Sequence, residues 1–384
     1  MLAALLLVVG ALTLSAQNTG VWDLGVYPGG TWAQLLAVND AGVAVGTGNV
    51  AGDRRMIGVR LVGHDEGQWF ESGASSAAVS ELLPAISDTG VIAGTITGGN
   101  GNPEAYAWVP DHGGMPLGTL PGDFGSYAYA ISRNGKFIVG QSMRQLTEAP
   151  FVIATAVIWV AQAEGPRGES AVTWEIHALP KGGMDTLGAV FPGVLLRLWG
   201  GWGCNDSGQV AGDAYQFDPS TGEWWEIAVA WNPIAHGKDW QVQQLPMPAG
   251  PLAGDFPFTG ALAIDNRGDI VGDLWGEYAA PALWSTGQPA GKAWTLTVLP
   301  SLNDTPMWDI ATAINDSGDV VGYCYDAEWV PHATHWTVDG RLSPAQTLGF
   351  PGTSSAAFGV NNRGIAVGFY RIGGLKQAYA VQFR

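Results

Sequence analysis

A ten-residue phrase returns seven times along the chain, and no other feature restricts the possible fold as strongly. Its clearest copy is Ala313-Ile314-Asn315-Asp316-Ser317-Gly318-Asp319-Val320-Val321-Gly322. The others run from Ala37 to Gly46, Ala85 to Gly94, Ala130 to Gly140 with one extra residue, Gly203 to Gly212, Ala263 to Gly272 and Gly359 to Gly368. Asn315 to Gly318 fit a type I turn, with Asn first and Gly in the left-handed position that closes it. Ile314, Val320 and Val321 on either side are β-branched and apolar, as buried strands require. Each copy therefore reads as a β-hairpin. The second glycine, four residues on, marks a bulge or a close passage of two backbones. Successive turn glycines, from Gly42 to Gly364, are separated by 48, 45, 73, 60, 50 and 46 residues. A period near 45–50 residues with occasional insertions belongs to propeller-like arrays.

Composition supports an all-β body. Glycine accounts for 56 of 384 residues, roughly twice the ordinary share of about 7%. Its lack of a three-residue period excludes collagen, and 18 tryptophans with 47% hydrophobic residues exclude disorder. A net charge of −17 with 13% charged residues argues against a nucleic-acid partner, which needs a basic face. Leu2 to Leu14 are almost wholly apolar and lead to Ser15-Ala16-Gln17, the pattern of a secretory signal cleaved after Ala16. No Lys or Arg precedes Arg54, so the usual basic leader is missing from it. The apolar run is shorter than a membrane-spanning helix of about 20 residues. These readings give residues 1–16 as a signal and 17–384 as one domain, secreted, monomeric and without a membrane span. Cys204 and Cys324 fall in repeats four and six, which do not adjoin in a ring, and are expected to be separate thiols.

Between the hairpins lie two more strands per unit. One ends in tryptophan, as in Glu104 to Trp108, Thr155 to Trp159, Ile227 to Trp231, Ala280 to Trp284 and His332 to Trp336. The other carries a tryptophan followed five residues later by Leu-Pro: Trp174 to Leu179-Pro180, Trp240 to Leu245-Pro246, Trp294 to Leu299-Pro300. Proline there stops pairing and starts the onward connection. Trp22 to Pro28 has this same spacing with no hairpin before it, whereas the last unit stops after its third strand, Gln377 to Val381. The orphan strand Val21 to Tyr27 therefore completes the last unit. The expected fold is a single seven-bladed β-propeller of four-stranded antiparallel blades, closed by the N-terminal strand. Between Met56 and Ser80 the first unit is degenerate, and its outer strands are not legible.

The repeat also resembles that of the bacterial extracellular HAF-repeat proteins, which combine a Leu-Gly-x-Leu-Gly-Gly segment, an Ala-x-x-Ile-Asn-x-x-Gly-x-Ile-Val-Gly hairpin and a His-Ala-Phe-x-Trp strand. Leu117 to Gly122 match the first with Pro121 for one Gly, Ala313 to Gly322 match the second, and Glu104 to Trp108 and His332 to Trp336 match the third. No copy holds all of His, Ala, Phe and Trp. The resemblance implies secretion and propeller-like repeats; it implies no activity and transfers no catalytic residue.

Other constellations are weak. His332 and His335 lie three apart on a strand and so point to opposite faces, which argues against shared metal ligation. Asp265 to Asp269 has the look of a calcium loop, but that position varies among acid, amide, Ser and Arg across the copies, as a structural turn would. No Gly-x-Ser-x-Gly elbow occurs, and Gly98 to Gly101 opens no helix that could cradle a phosphate. Asn303-Asp304-Thr305 is a glycosylation sequon. The repeated tryptophans are expected to pack the core first. No metal or cofactor is expected.

Function is therefore sought in what departs from the repeat. The fourth-to-first and second-to-third connections of such blades share one face and hold most insertions: Pro180 to Trp202, Asp213 to Glu223, Pro246 to Gly260 and Leu302 to Ile310. Recognition usually sits on loops borne by a rigid scaffold. The segment Gly188 to Trp202 is apolar enough to cap or plug the ring. The candidate ligand-binding residues on this face are Trp32, Asp123, Trp199, Trp202, Asp255, Asp304 and Trp308. Aromatics beside carboxylates suit sugar rings. The favoured reading is a non-enzymatic binder of a glycan, a peptide or a surface protein. The alternatives are a polysaccharide hydrolase or lyase using paired acids among Asp123, Asp185, Asp255 and Asp304, and a purely structural envelope component.

Overall fold

In the computed structural model the described residues are 20–50, 52–63, 66–75, 83–145, 152–162, 172–180, 189–190, 203–218, 223–234, 239–249, 252–286, 293–303, 305–338, 342–350 and 354–383. The expected signal sequence, most of Gly188 to Trp202, and the candidates Asp185, Trp199, Trp202 and Asp304 lie outside them.

The strands form seven separate antiparallel sheets of four strands in simple sequential order. One of these gains a short extra pairing, Ala189–Val190 against Val152 and Ile153. The chain is a seven-bladed β-propeller. Blade 1 consists of Ala33–Val38, Val43–Val50, Asp53–Val62 and Glu66–Ser75, so the unit whose outer half was illegible is complete. The innermost strands of blades 2 to 7 are Ala85–Ile86, Gly125–Ile131, Gly203–Cys204, Phe258–Ile264, Ile310–Ile314 and Ser354–Val360. Blade 7 continues with Ile365–Ile372 and Leu375–Gln382, and its outermost strand is Gly20–Gly25 from the other end of the chain. Ring closure thus follows the orphan-strand reading, with the strand one residue earlier at its start and two shorter at its end.

Both glycines of the phrase have their causes in the backbone. The turn glycines Gly42, Gly90, Gly135, Gly208, Gly268, Gly318 and Gly364 all have φ between 72° and 88°, the left-handed region that a Cβ disfavours. Opposite the second glycine the innermost strand bulges, as between Ala311 and Ala313. There a Cβ on Gly322 would overlap the carbonyl oxygen of Ile310.

The core lies between blades rather than within them. Trp22, Leu35, Ile57, Val59, Val367 and Ala380, for example, pack together across the blade 7–blade 1 seam. The repeated tryptophans bridge seams as well. Trp231, Trp284 and Trp336 at the ends of third strands donate their Nε1 protons to the carbonyls of Pro180, Pro246 and Pro300 in the preceding blade, at 2.7–2.9 Å. Trp240 in one fourth strand and Trp294 just before another donate to the turn-glycine carbonyls Gly208 and Gly268 of their own blades. Cys204 and Cys324 are both free and buried, and burial pushes both thiols far above their usual range.

Candidate functional site

The hairpin turns gather around the propeller axis and bond to one another. The second residue of each turn, or in blade 3 its neighbour Asn134, passes a hydrogen bond to the next blade. Asp40 N–H donates to Asp88 Oδ1 (2.8 Å), Asp88 N–H to the Arg133 carbonyl (2.8 Å), and Asn134 N–H to Asp206 Oδ1 (2.7 Å). Asp206 N–H then donates to Asn266, Asn266 to Asp316, Asp316 to Asn362, and Asn362 back to Asp40, at 2.8–2.9 Å. All seven seams are linked. Beneath this circle the first turn residues make a second set: Asn39, Asn205, Asn315 and Asn361 donate side-chain N–H groups to the next blade's turn carbonyl at 2.7–3.0 Å.

Blade 3 breaks the pattern in a way that shapes the axis. Where the other copies place Asp or Asn, it has Arg133. This side chain crosses the ring: Nη1 is 3.7 Å from Asp40, Nε is 3.8 Å from Asp316, and Nη2 donates to the Val360 carbonyl at 3.2 Å. Burial raises the Asp316 carboxyl, but the Asn266 backbone and the Asn362 amide, with Arg133, outweigh it and hold the group below its usual range. Asp88, also burdened by burial and by the charges of Asp40 and Asp206, is raised.

Above this plug the axis is a cavity of about 580 Å³, within the range of small-molecule sites. Every innermost strand contributes to its wall. Leu36, Ile86, Ile131, Leu262, Ile310 and Phe358 make it apolar, and Gln34, Thr47, Arg54 and Lys376 line its seam between blades 7 and 1.

The candidate residues are distributed around this cavity rather than gathered in it. Trp32 lines it, half-buried, with the Arg54 guanidinium 5.5 Å from its ring centroid. Asp123 is buried, its side chain 2% exposed, and both its oxygens are engaged: Ser142 Oγ donates at 2.6 Å and Arg144 Nε at 2.8 Å. Asp255 is exposed at the end of a one-turn helix, Leu252–Asp255. Trp308 is 41% exposed. Its flanks are strapped to the neighbouring blade, since Ala279 N–H donates to the Met307 carbonyl (2.8 Å) and Asp309 N–H to the Ala279 carbonyl (3.1 Å).

Two further exposed aromatics stand on second-to-third connections of the same two blades. Tyr278 is 40% exposed next to the strapped Ala279, and Trp329 is 52% exposed. Trp329 has φ of 63°, an outlier for a bulky residue. Asp326 enforces that turn by accepting the backbone N–H groups of Glu328 and Val330 at 3.0 and 2.9 Å. His332 Nε2, 2.7 Å away, is the main reason the Asp326 carboxyl lies below its usual range. Sequence reasoning passed over Tyr278 and Trp329 because neither occupies a repeated position. Their isolation from the tryptophan pattern was the available signal.

Among the described residues no helix is long and apolar enough to cross a membrane. No family model and no curated protein matches the chain. Solved structures resemble it in shape. The acylaminoacyl peptidase of Pyrococcus horikoshii is 11% identical, with a TM-score of 0.52 over 92% of this chain and 52% of its own. The chain thus spans about half the length of that peptidase, and the likeness is one of fold. The β-propeller domain of the Trilobed protease from Pyrococcus furiosus is 12% identical (TM-score 0.39, 84% and 97% covered). The Aleuria aurantia lectin in complex with alpha-methyl-L-fucoside is 11% identical (TM-score 0.38, 85% and 98% covered). What the fold and site define is a β-propeller with an axial cavity lined by both apolar and polar side chains, and an aromatic-bearing loop face.

Proposed function

We propose that the chain is a secreted, non-enzymatic binding module that recognises a glycan through the insertion-bearing face of blades 5 and 6. The observation that carries this reading is Trp329. A tryptophan at positive φ costs on the order of 1–3 kcal/mol, and its ring is left half in water. The ring packs edge-on against Tyr325, 6.3 Å between centroids, and what stays in water is a flat apolar surface of the kind that stacks on a sugar ring. Trp308 and Tyr278 extend the platform on rigid backbone, so little entropy is lost on binding. The resemblance to extracellular HAF-repeat proteins supports the secreted location.

The test is a glycan array read with the parent and with Trp329→Gly. Glycine accepts the left-handed backbone, so this variant is expected to fold with equal or higher stability while losing at least tenfold in glycan affinity. Trp308→Ala should weaken the same ligands. A parent that binds no glycan, or a Trp329→Gly variant that binds as well as the parent, refutes the assignment.

A further inference from the structure

The seam between blades 5 and 6 is built differently at the point where Trp308 enters it. In three other seams a hydroxyl on the innermost strand, two residues before its bulge, accepts a backbone N–H from the third strand of the preceding blade. Ala105 N–H donates to Ser126 Oγ (3.0 Å), Ala228 N–H to Thr259 Oγ1 (2.7 Å) and Ala333 N–H to Ser355 Oγ (2.9 Å). The carbonyls of the same alanines accept the N–H groups of Leu117, Leu245 and Leu348. In blade 5 the matching carbonyl, bonded by Leu299 N–H at 2.8 Å, belongs to Pro281, and proline has no N–H to give. Asp309 stands two residues before the bulge of blade 6. Its side chain turns to its own blade, where Oδ1 accepts Tyr325 N–H at 2.8 Å.

The start of this strand also leaves its blade. In blades 3, 5 and 7 the two residues at this point pair with the second strand, as Thr259 does with Leu274 and Phe258 with Trp275. Phe258 stacks there on Trp275, 4.3 Å between ring centroids. In blade 6 the ladder ends at Ile310 with Tyr323. Asp309 N–H and the Met307 carbonyl bond to Ala279 of blade 5, and Trp308, the counterpart of Phe258, bridges to Ala279 and is 41% exposed. In blade 1 the N–H corresponding to that of Tyr325, on Asn49, bonds the carbonyl of Trp32, the counterpart of Trp308. We infer that Pro281 and Asp309 are positioning residues that turn Trp308 out of blade 6 and hold it on the platform. Pro281 withholds the seam donor, and Asp309 takes up the Tyr325 N–H that the departed strand would have bonded. Their use in recognition rests on the glycan reading of the platform; their geometry does not.

The test restores the repeat. In the double variant Pro281→Ala, Asp309→Ser the seam bond can form as in the other three, and Trp308 is free to return to its blade. Burial raises the Asp309 carboxyl above its usual range, so exchanging it for a hydroxyl should leave the urea midpoint equal or higher. Proteins labelled with 5-fluorotryptophan, with the Trp308 resonance assigned by Trp308→Phe, report ring exposure by fluorine NMR as broadening from a soluble nitroxide. Trp308 should broaden at least threefold less in the double variant than in the parent, with Trp329 unchanged, and the glycans bound by the parent should lose at least tenfold in affinity. Asp309→Asn keeps the acceptor for Tyr325 and should leave Trp308 as exposed as in the parent. Pro281→Ala alone should reduce the broadening at least twofold, and unchanged broadening in it overturns the inference even if the double variant does not fold. A folded double variant with Trp308 as exposed as in the parent overturns it as well, as does one that buries Trp308 yet binds the parent's glycans equally well. Exposure is read without a ligand, so a parent that binds no glycan ends the glycan reading and leaves the positioning of Trp308 to be decided by the NMR.

Discussion

The same chemical change, Asn to Asp at the first turn position, should have very different costs in two blades. Asn315 is fully buried, and its Nδ2 donates at 2.7 Å both to the Asn361 carbonyl of blade 7 and to Asp319 Oδ2. Asn315→Asp replaces that donor with a carboxylate oxygen facing two acceptors. It loses a neutral hydrogen bond worth about 1 kcal/mol and one to a charged group worth about 1.5–3, and it leaves the Asn361 carbonyl with only the turn bond from Gly364 N–H at 3.2 Å. A cost of about 3–5 kcal/mol follows. Asn361 makes the equivalent bond to the Asn39 carbonyl at 2.8 Å, but Arg363 stands two residues on. Blade 5 already uses that combination: Asp265 is held by Arg267 Nε at 2.8 Å. Asn361→Asp should therefore cost about 1.5–3 kcal/mol less than Asn315→Asp, because Arg363 can repeat the pairing and restore one hydrogen bond to a charged group. Urea unfolding at pH 7 measures both. The pH dependence has a definite sign. The new carboxyl at 315 is raised above its unfolded value, so its penalty is full above the folded pKa and shrinks as pH falls through it. Equal costs for the two variants, or a cost below about 1 kcal/mol for Asn315→Asp, would refute the turn-ring account.

Three further outcomes are expected. Asp265 is raised to about 6, by burial first, against a normal 3.8; stability tied to it is present below the unfolded value and lost as pH rises through 6. Asp265→Asn should therefore gain on the parent by on the order of 2–3 kcal/mol between pH 4 and pH 7.5, and a flat difference in thermal or urea unfolding would contradict it. Gly318→Val should cost about 1–3 kcal/mol because a β-branched residue is forced to positive φ, with Ser317→Val much milder; equal midpoints would show the turn to be misassigned. Trp284→Phe should cost about 1–2 kcal/mol more than Trp159→Phe, since Trp284 Nε1 bonds the Pro246 carbonyl at 2.8 Å while Trp159 Nε1 has no partner among the described residues; indistinguishable losses in stability would remove that bond from the account of the seam.

The sequence by itself determined the number of blades, the turns and the closure. Each hairpin is a local event, written in an Asn or Asp, a glycine and flanking β-branched residues whose conformational preferences act within a few residues. Seven such phrases and one orphan strand leave few alternatives to a closed seven-membered ring. Blade 1 beyond Met56 was illegible because its third strand, Asp53–Val62, lacks the terminal tryptophan, and Trp69 of its fourth is followed by Leu83-Pro84 only fourteen residues later instead of five. They are strands because of what they pack against. Trp32, Asp123, Asp255 and Trp308 lie in connections that lead into innermost strands, but a connection does not state a side chain's partners. Nothing local in Asp123 predicts that Ser142 and Arg144 consume its carboxylate. The turn ring, too, exists only once blades distant in sequence adjoin, as Asn362 and Asp40 do. Arg133 is the plainest case. In the sequence it is one more variation at a tolerant turn position. Around a seven-fold axis that position points inward, so a long cation there reaches across to blades 1, 6 and 7. The cavity above it arises the same way, because the innermost strands that line it come from all seven blades and only tertiary closure brings them together.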